Sequence, residues 1–163
     1  VVNGGLPAWV AAGGAVDNGS PRVVSTQVPV REFAGVVTTA EIQAQLAAGG
    51  ITLVDARSAD RFAGQNETVD RVAGHVPGAI NHPYTGNLDA DQKFLQVAEL
   101  ARRWGKELQL AHNRPLVAMC GSGVTACHNL LALELAGYPE ARLYAGSYSE
   151  WIADPRRPVA TGA

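Results

Sequence analysis

Cys120 stands where an apolar run ends and a glycine-rich loop begins, and that junction constrains the whole chain. Pro115-Leu116-Val117-Ala118-Met119 reads as a buried strand, Cys120-Gly121-Ser122-Gly123-Val124-Thr125-Ala126 as a tight loop, and Cys127 to Gly137 as an apolar helix closed by a glycine. Glycines let the main chain curl so that successive N–H groups converge on one point. The helix N-terminus behind them adds partial positive charge. A sulfur at the mouth of such a cradle is favoured as an anion, thiolate or persulfide. The cradle is expected to comprise Gly121, Ser122, Gly123, Val124 and Thr125, with Thr125 capping the helix. The plainer alternative is a structural cysteine buried after a strand; the two glycines and the helix start weigh against it.

At 163 residues, with 47% hydrophobic and 17% charged residues, the chain fits one domain able to build a real core. Its formal charge of −2 comes without a basic stripe, so nucleic acid is not an expected partner. No apolar run reaches the length of a membrane span, and no membrane contact is expected. Cys120 and Cys127 do not make a disulfide framework in a domain of this size, which points to a reducing, cytoplasmic setting. The two cysteines and His75, His82, His112 and His128 form no paired ligand spacing, so neither a metal nor a cofactor is expected.

Taken in order, Thr38-Thr39-Ala40-Glu41 opens a helix running through Ile42 and Leu46 to Gly49-Gly50. A first edge strand is expected over Val28 to Phe33, before that helix. Ile51 to Asp55 is an apolar strand, apolar enough to be buried on both faces. Asp55-Ala56-Arg57 ends it, and Ser58 to Phe62 forms a short helix or turn that carries Arg61. Residues 63–74 are polar and irregular; His75 orders the turn Gly74-His75-Val76-Pro77-Gly78, which feeds a short strand at Ala79-Ile80-Asn81. Residues 91–109 read as a helix with Phe94, Leu95, Val97, Leu100, Ala101 and Trp104 on one side. Strands alternating with helices imply an α/β fold, a parallel central sheet of about five strands with helices on both faces. Ligands of such sheets bind beyond the carboxyl ends of the strands. Cys120 and Asp55 with the Arg57–Arg61 segment both fall there, so they are expected to share a site.

The two ends of the chain repeat one order: apolar pair, glycine turn, short helix with tryptophan. In both, the tryptophan lies five residues after the turn glycine, Gly4 to Trp9 and Gly146 to Trp151. This suggests a tandem protein whose first copy is present only as its last strand and helix. Residues 14–28, opening on Gly14 directly after Gly13 and with Asn18-Gly19-Ser20-Pro21 within, read as a linker.

Collinear with this pattern, the chain resembles the rhodanese superfamily in its two-domain sulfurtransferases. The resemblance rests on the loop Cys120 to His128, on Val54-Asp55-Ala56-Arg57 with Arg61-Phe62, on the turn Gly74 to Ala79, and on Gly146-Ser147-Tyr148-Ser149-Glu150-Trp151. It implies a C-terminal catalytic domain over 29–163, and residues 1–13 as the tail of an N-terminal, non-catalytic domain otherwise missing from this chain. It also implies transfer of sulfane sulfur from a small-molecule donor, 3-mercaptopyruvate or thiosulfate, to cyanide or a thiol through a Cys120 persulfide. By the same resemblance Arg61 binds the donor's anionic end, Arg71 lies near a second donor-binding position, and Asp55 supports the site. A guanidinium suits that role because its donors form a planar fork. Thiosulfate-preferring loops carry basic side chains beside the cysteine; the uncharged Gly121 and Ser122 favour the monoanionic 3-mercaptopyruvate.

Two other readings compete. A cysteine-dependent phosphatase also seats a thiolate in a strand–loop–helix cradle, but needs an arginine where this chain has Ala126. A rhodanese-like regulatory or interaction module, or a persulfide carrier without turnover, remains the alternative from another class. A thiol–disulfide switch using Cys127 is disfavoured, because Cys127 is expected to face the core with Leu130 and Leu131. His128 is expected to be structural.

Overall fold

The computed structural model describes residues 1–20, 25, 27, 29, 35–108 and 114–162. Strand β1 (Thr52–Asp55) is buried along its whole length, as an apolar run covered on both faces must be. It pairs in parallel with β2 (Ile80–Asn81) on one side and β3 (Leu116–Met119) on the other, and β3 pairs with β4 (Arg142–Leu143). The order is β2-β1-β3-β4. Beyond β4 the chain at Val36 adds one parallel bridge, with the Val37 N–H donating to the Leu143 carbonyl at 2.8 Å. Four strands and this bridge make up the parallel sheet expected to have about five; the edge strand expected over 28–33 lies almost wholly outside the described residues.

Alternating strand residues point to opposite faces, and two helical layers receive them. Leu53, Val117 and Met119 pack with Ile42 of α2 (Thr39–Ala47) and with Tyr148 and Trp151 of α6 (Ser147–Trp151). Val54 packs the other way, with Leu100 and Trp104 of α4 (Val97–Leu108) and with Ala132 and Leu133 of α5 (Val124–Leu135). Trp104 is wholly buried, and its indole N–H donates to Asn87 Oδ1 at 3.1 Å. Asn87 in turn donates to Asn129 Oδ1 at 2.7 Å, tying the 3-10 turn Tyr84–Asn87 to α5.

Helix ends follow local chemistry. Thr38 and Glu41 form a reciprocal capping box at the start of α2, as their spacing predicts. Helix α5 closes on Gly137 at φ 95°, with Gly137 N–H to Glu134 O and Tyr138 N–H to Leu133 O, the paired bonds of a left-handed C-cap. Helix α4 starts later than expected. Residues 91–96 form a turn instead, because Asp89 Oδ1 accepts the N–H groups of Asp91 and Lys93 at 2.9 and 3.0 Å, satisfying donors that a helix would have used. Phe94 and Leu95 still pack on the α4–α5 core from that turn.

At the N-terminus, α1 (Gly5–Ala11) has no buried residue. Trp9 is 46% exposed, whereas Trp151 is 3% exposed. Their indoles are nonetheless used alike: Trp9 Nε1 donates to Ala15 O and Trp151 Nε1 to Pro158 O, both at 2.9 Å. Asn3 Oδ1 accepts the Phe94 N–H at 2.8 Å, which seats this segment beside the turn that precedes α4.

Candidate active site

Leu116, Ala118 and Cys120 occupy alternate positions along β3 and its continuation, so the cysteine turns toward α5. It is 2% exposed and packs with Ala56, Ala118 and Ala126 at the carboxyl edge of the sheet. The start of α6 ties down the loop. Tyr148 N–H donates to the Cys120 carbonyl at 3.0 Å and Ser149 N–H to the Gly121 carbonyl at 2.9 Å. Cys120 N–H donates to Ser147 Oγ at 3.1 Å, and that hydroxyl donates onward to Tyr144 O at 2.8 Å. Ser147 holds φ at 53°, a left-handed conformation costing about 1–2 kcal/mol for a non-glycine residue. Its bridging hydroxyl compensates locally.

With those carbonyls turned to α6, the N–H groups of Gly121 to Thr125 donate to no backbone acceptor among the described residues. They open at the N-terminus of the twelve-residue helix α5. The cap is Gly123, not Thr125: at φ 83° it takes the left-handed turn, and Thr125 lies inside the helix. A β-carbon at position 123 would come within 2.7 Å of the Ala145 carbonyl oxygen, so only glycine fits. Ser122 and Val124 are exposed on the outer rim.

A wall of charged side chains stands beside this cradle. Asp55, fully buried at the end of β1, accepts from Arg57 Nε and Nη2, the latter at 2.7 Å. Arg57 also donates to Gly74 O at 2.8 Å and lies over the Tyr148 ring, 3.9 Å from its centroid. Burial pushes the Tyr148 hydroxyl up to about 12, so it stays a neutral phenol at physiological pH. Glu67 accepts from Arg61 Nε at 3.0 Å and lies 3.6 Å from Arg57 Nη1. Burial alone would raise the Glu67 carboxyl; hydrogen bonds from Arg61 and from the Asp70 and Val69 N–H groups outweigh it and hold the carboxyl below its ordinary range. Asp70 Oδ2 accepts from Arg61 Nη2 at 2.8 Å, and Asp70 Oδ1 accepts from Ser149 Oγ at 2.9 Å. Arg61 Nη2 and Asp70 Oδ2 each lie 3.8 Å from where a Gly121 β-carbon would sit.

Cys120, the 121–125 cradle, Asp55 and Arg61 are thus brought together at one edge of the sheet. Arg71 extends elsewhere, donating to the Ile152 carbonyl. Both cysteines are free, and Cys127 is exposed rather than core-facing. The buried residues of α5 are Ala126, Asn129, Ala132 and Leu133, a helical stripe that leaves position 127 outside; Cys127 Sγ donates to Gly123 O at 3.3 Å. His75 stacks on Phe62 with centroids 3.8 Å apart and contacts Phe62 O through Nδ1, ordering its turn. His128 stacks on Phe94, and burial lowers its pKa. Sequence reasoning missed Glu67, Asp70 and the serines Ser147 and Ser149. The only signal for the serines was their place in the stretch 146–151 that carries the family resemblance; Glu67 and Asp70 lie in the irregular segment 63–74, where nothing in their spacing assigns them partners.

Among known proteins, a family model described as "Rhodanese-like domain" matches residues 38–154. Two relatives carry provisional names. One, a 3-mercaptopyruvate sulfurtransferase of Pseudomonas aeruginosa, is 50% identical over 163 residues, covering 99% of this chain and 57% of the relative. The other, the thiosulfate sulfurtransferase SseB of Mycobacterium tuberculosis, is 42% identical over 165 residues, with the same coverage of 99% and 57%. The chain therefore spans little more than half the length of the curated relatives it matches. A solved structure of an anaerobic ergothioneine biosynthesis enzyme from Chlorobium limicola, in complex with trimethyl histidine, superposes with a TM-score of 0.81 at 27% identity, covering 100% of this chain and 41% of that one.

Proposed function

The chain belongs to the rhodanese-like domain family, and from that membership we propose that it is the catalytic domain of a sulfurtransferase working through a Cys120 persulfide. One observation carries the reading: a cysteine sits at the mouth of a loop whose N–H groups, from Gly121 to Thr125, find no backbone acceptor among the described residues. Main-chain dipoles held in place before reaction stabilise the sulfur anion without reorganising. Cys120 thiolate attacks the donor sulfur. With 3-mercaptopyruvate the carbon–sulfur bond breaks and its electron pair, with a proton, leaves as pyruvate; with thiosulfate the sulfur–sulfur bond breaks and sulfite leaves. A nucleophilic acceptor, cyanide or a thiol, then takes the outer sulfur and returns the Cys120 thiolate.

Arg61 is the donor-anchoring residue in this reading and Asp55 holds Arg57 behind it. Arg71 enters the donor site only if it leaves the Ile152 carbonyl. The uncharged Gly121 and Ser122 favour a singly charged donor, 3-mercaptopyruvate over thiosulfate. Residues 1–13 are read as the end of a preceding domain of the same family, 14–28 as the linker and 29–163 as the catalytic domain. The matched indole geometry of Trp9 and Trp151 supports that division, as does the length of the relatives. A cytoplasmic setting accords with two free cysteines.

The test is mass spectrometry after donor treatment, in this chain and in the longer protein it is read as part of, followed by cyanide. We expect a gain of one sulfur at Cys120, released as thiocyanate, and none in Cys120→Ser. No gain in either form overturns the reading. A persulfide that no acceptor discharges leaves a carrier instead of an enzyme.

A further inference from the structure

Arg61 is already engaged by carboxylates of its own chain. Its Nε is taken by Glu67 and its Nη2, the arm beside Gly121, by Asp70, which leaves Nη1 without a protein partner among the described residues. An incoming carboxylate therefore finds only Nη1 wholly open, and a two-armed grip has to share Nη2 with the Asp70 carboxylate. Asp70 is also fixed from its other side by the Ser149 hydroxyl, and Ser149 N–H holds the Gly121 carbonyl. The charge on Asp70 is thus anchored to the loop that surrounds the sulfur.

The local count of charges has a consequence for the ligand. Arg57 and Arg61 face Asp55, Glu67 and Asp70, two basic groups against three acidic ones. The seat for an anionic donor thus carries a surplus negative charge, and Asp70 is the acid nearest the loop. We propose that Asp70 is a specificity-determining residue of the donor site, holding the loop-side arm of Arg61 and charging the seat against doubly negative donors. This rests on the sulfurtransferase reading and deepens it. The disfavoured class is the sulfur oxyanion dianion; the favoured class is the thiol-bearing monocarboxylate. Repulsion scales with ligand charge, so removing one fixed charge a few ångströms away is worth about tenfold in affinity per ligand charge.

The experiment measures binding by calorimetry in a Cys120→Ser background, where no sulfur moves, with thiosulfate as the dianion and pyruvate as the monoanion. Asp70→Asn keeps the shape and removes the charge. It is expected to tighten thiosulfate about tenfold more than pyruvate. Asp70→Ser is expected to shift the ratio the same way, and covers the case in which the amide variant fails to fold. Ser149→Ala, which removes the hydroxyl contact and leaves the charge, is expected to leave the ratio unchanged. The proposal is overturned if Asp70→Asn and Asp70→Ser change both ligands equally, if Ser149→Ala moves the ratio as far as they do, or if neither anion binds any variant. Persulfide formation by the unsubstituted chain is scored separately: its absence defeats the sulfurtransferase reading, whereas its presence with an unmoved ratio defeats only the role of Asp70.

Discussion

The two walls of the site are built from different materials. The Cys120–Thr125 loop offers main-chain N–H groups and no charged side chain, whereas the segment from Asp55 to Asp70 offers six charged side chains, five of them paired to one another. A main-chain cradle is indifferent to most substitutions, because what it presents does not depend on side-chain identity. It fails only where the sulfur is lost or where a β-carbon collides. The charged wall behaves in the opposite way. Each member is held by its partners, so single changes, pH and salt all reach it. On the proposed reading the cradle carries the reaction, and the charged wall acts together with the uncharged Gly121 and Ser122 on the choice of ligand.

The largest expected effect lies on the cradle side. Cys120→Ser should abolish sulfur transfer altogether, read as loss of the persulfide mass and of thiocyanate. Gly123→Ala comes next, since a methyl group there meets the Ala145 carbonyl in a left-handed turn. Displacing the cradle by a fraction of an ångström to 1 Å should cost about a hundredfold in transfer rate. The thermal melting point should fall too, the left-handed alanine alone costing about 1–2 kcal/mol. If Gly123→Ala kept full activity, the cradle would not be built from its main chain.

On the charged side the effects should be smaller and graded. Arg61→Leu should raise the KM for either anionic donor about tenfold, with a lesser change in kcat, as expected when a charge-assisted hydrogen bond is removed. An equal fall in kcat with KM unchanged would place Arg61 in the chemical step and blur the division. Glu67→Gln should destabilise the chain by about 2 kcal/mol at neutral pH, the size of a charged hydrogen bond. The folded-state pKa of Glu67 is depressed, so its contribution is present above the unfolded value, about 4.3, and is lost as pH falls through the folded one. Denaturation curves of Glu67→Gln and the unsubstituted chain should therefore converge in acid. Curves that stay parallel down to about pH 2 would show that the glutamate acts by packing, not charge. The smallest effect should be at Cys127→Ser, which is exposed and whose hydroxyl can keep the contact to the Gly123 carbonyl, with stability within about 0.5 kcal/mol and full transfer.

The sequence was most informative where function is contiguous. The apolar run, the cysteine, the two glycines and the apolar helix are neighbours in the chain, and their order alone implies a cradle at a strand's carboxyl end. The capping box at Thr38 and Glu41 and the glycine that closes α5 were legible for the same reason: each depends on residues a few positions apart. Local reading failed where a side chain found a non-obvious partner nearby. Asp89 captured donors that the pattern after it assigned to a helix, and Gly123 took the cap expected of Thr125. Cys127 was misplaced because the polar residues of α5 mark no single solvent face: Asn129 is buried in the core, whereas Cys127 is exposed.

What the sequence by itself determined, then, is the α/β alternation, the parallel sheet and the position of the sulfur in it, because short-range periodicity and glycine geometry dictate those. Only the tertiary structure decided who faces whom across the site. Asp55, Arg57, Arg61, Glu67, Asp70 and Ser149 come from the end of β1 and the turn after it, α3 (Ala59–Phe62), the irregular segment that follows, and α6. Charged pairing over such distances in the chain leaves no periodic trace, since a carboxylate meets a guanidinium wherever the fold delivers it. The anion cradle could be read from one stretch of residues. That its neighbouring arginine is already held by two carboxylates could be read only from the folded chain.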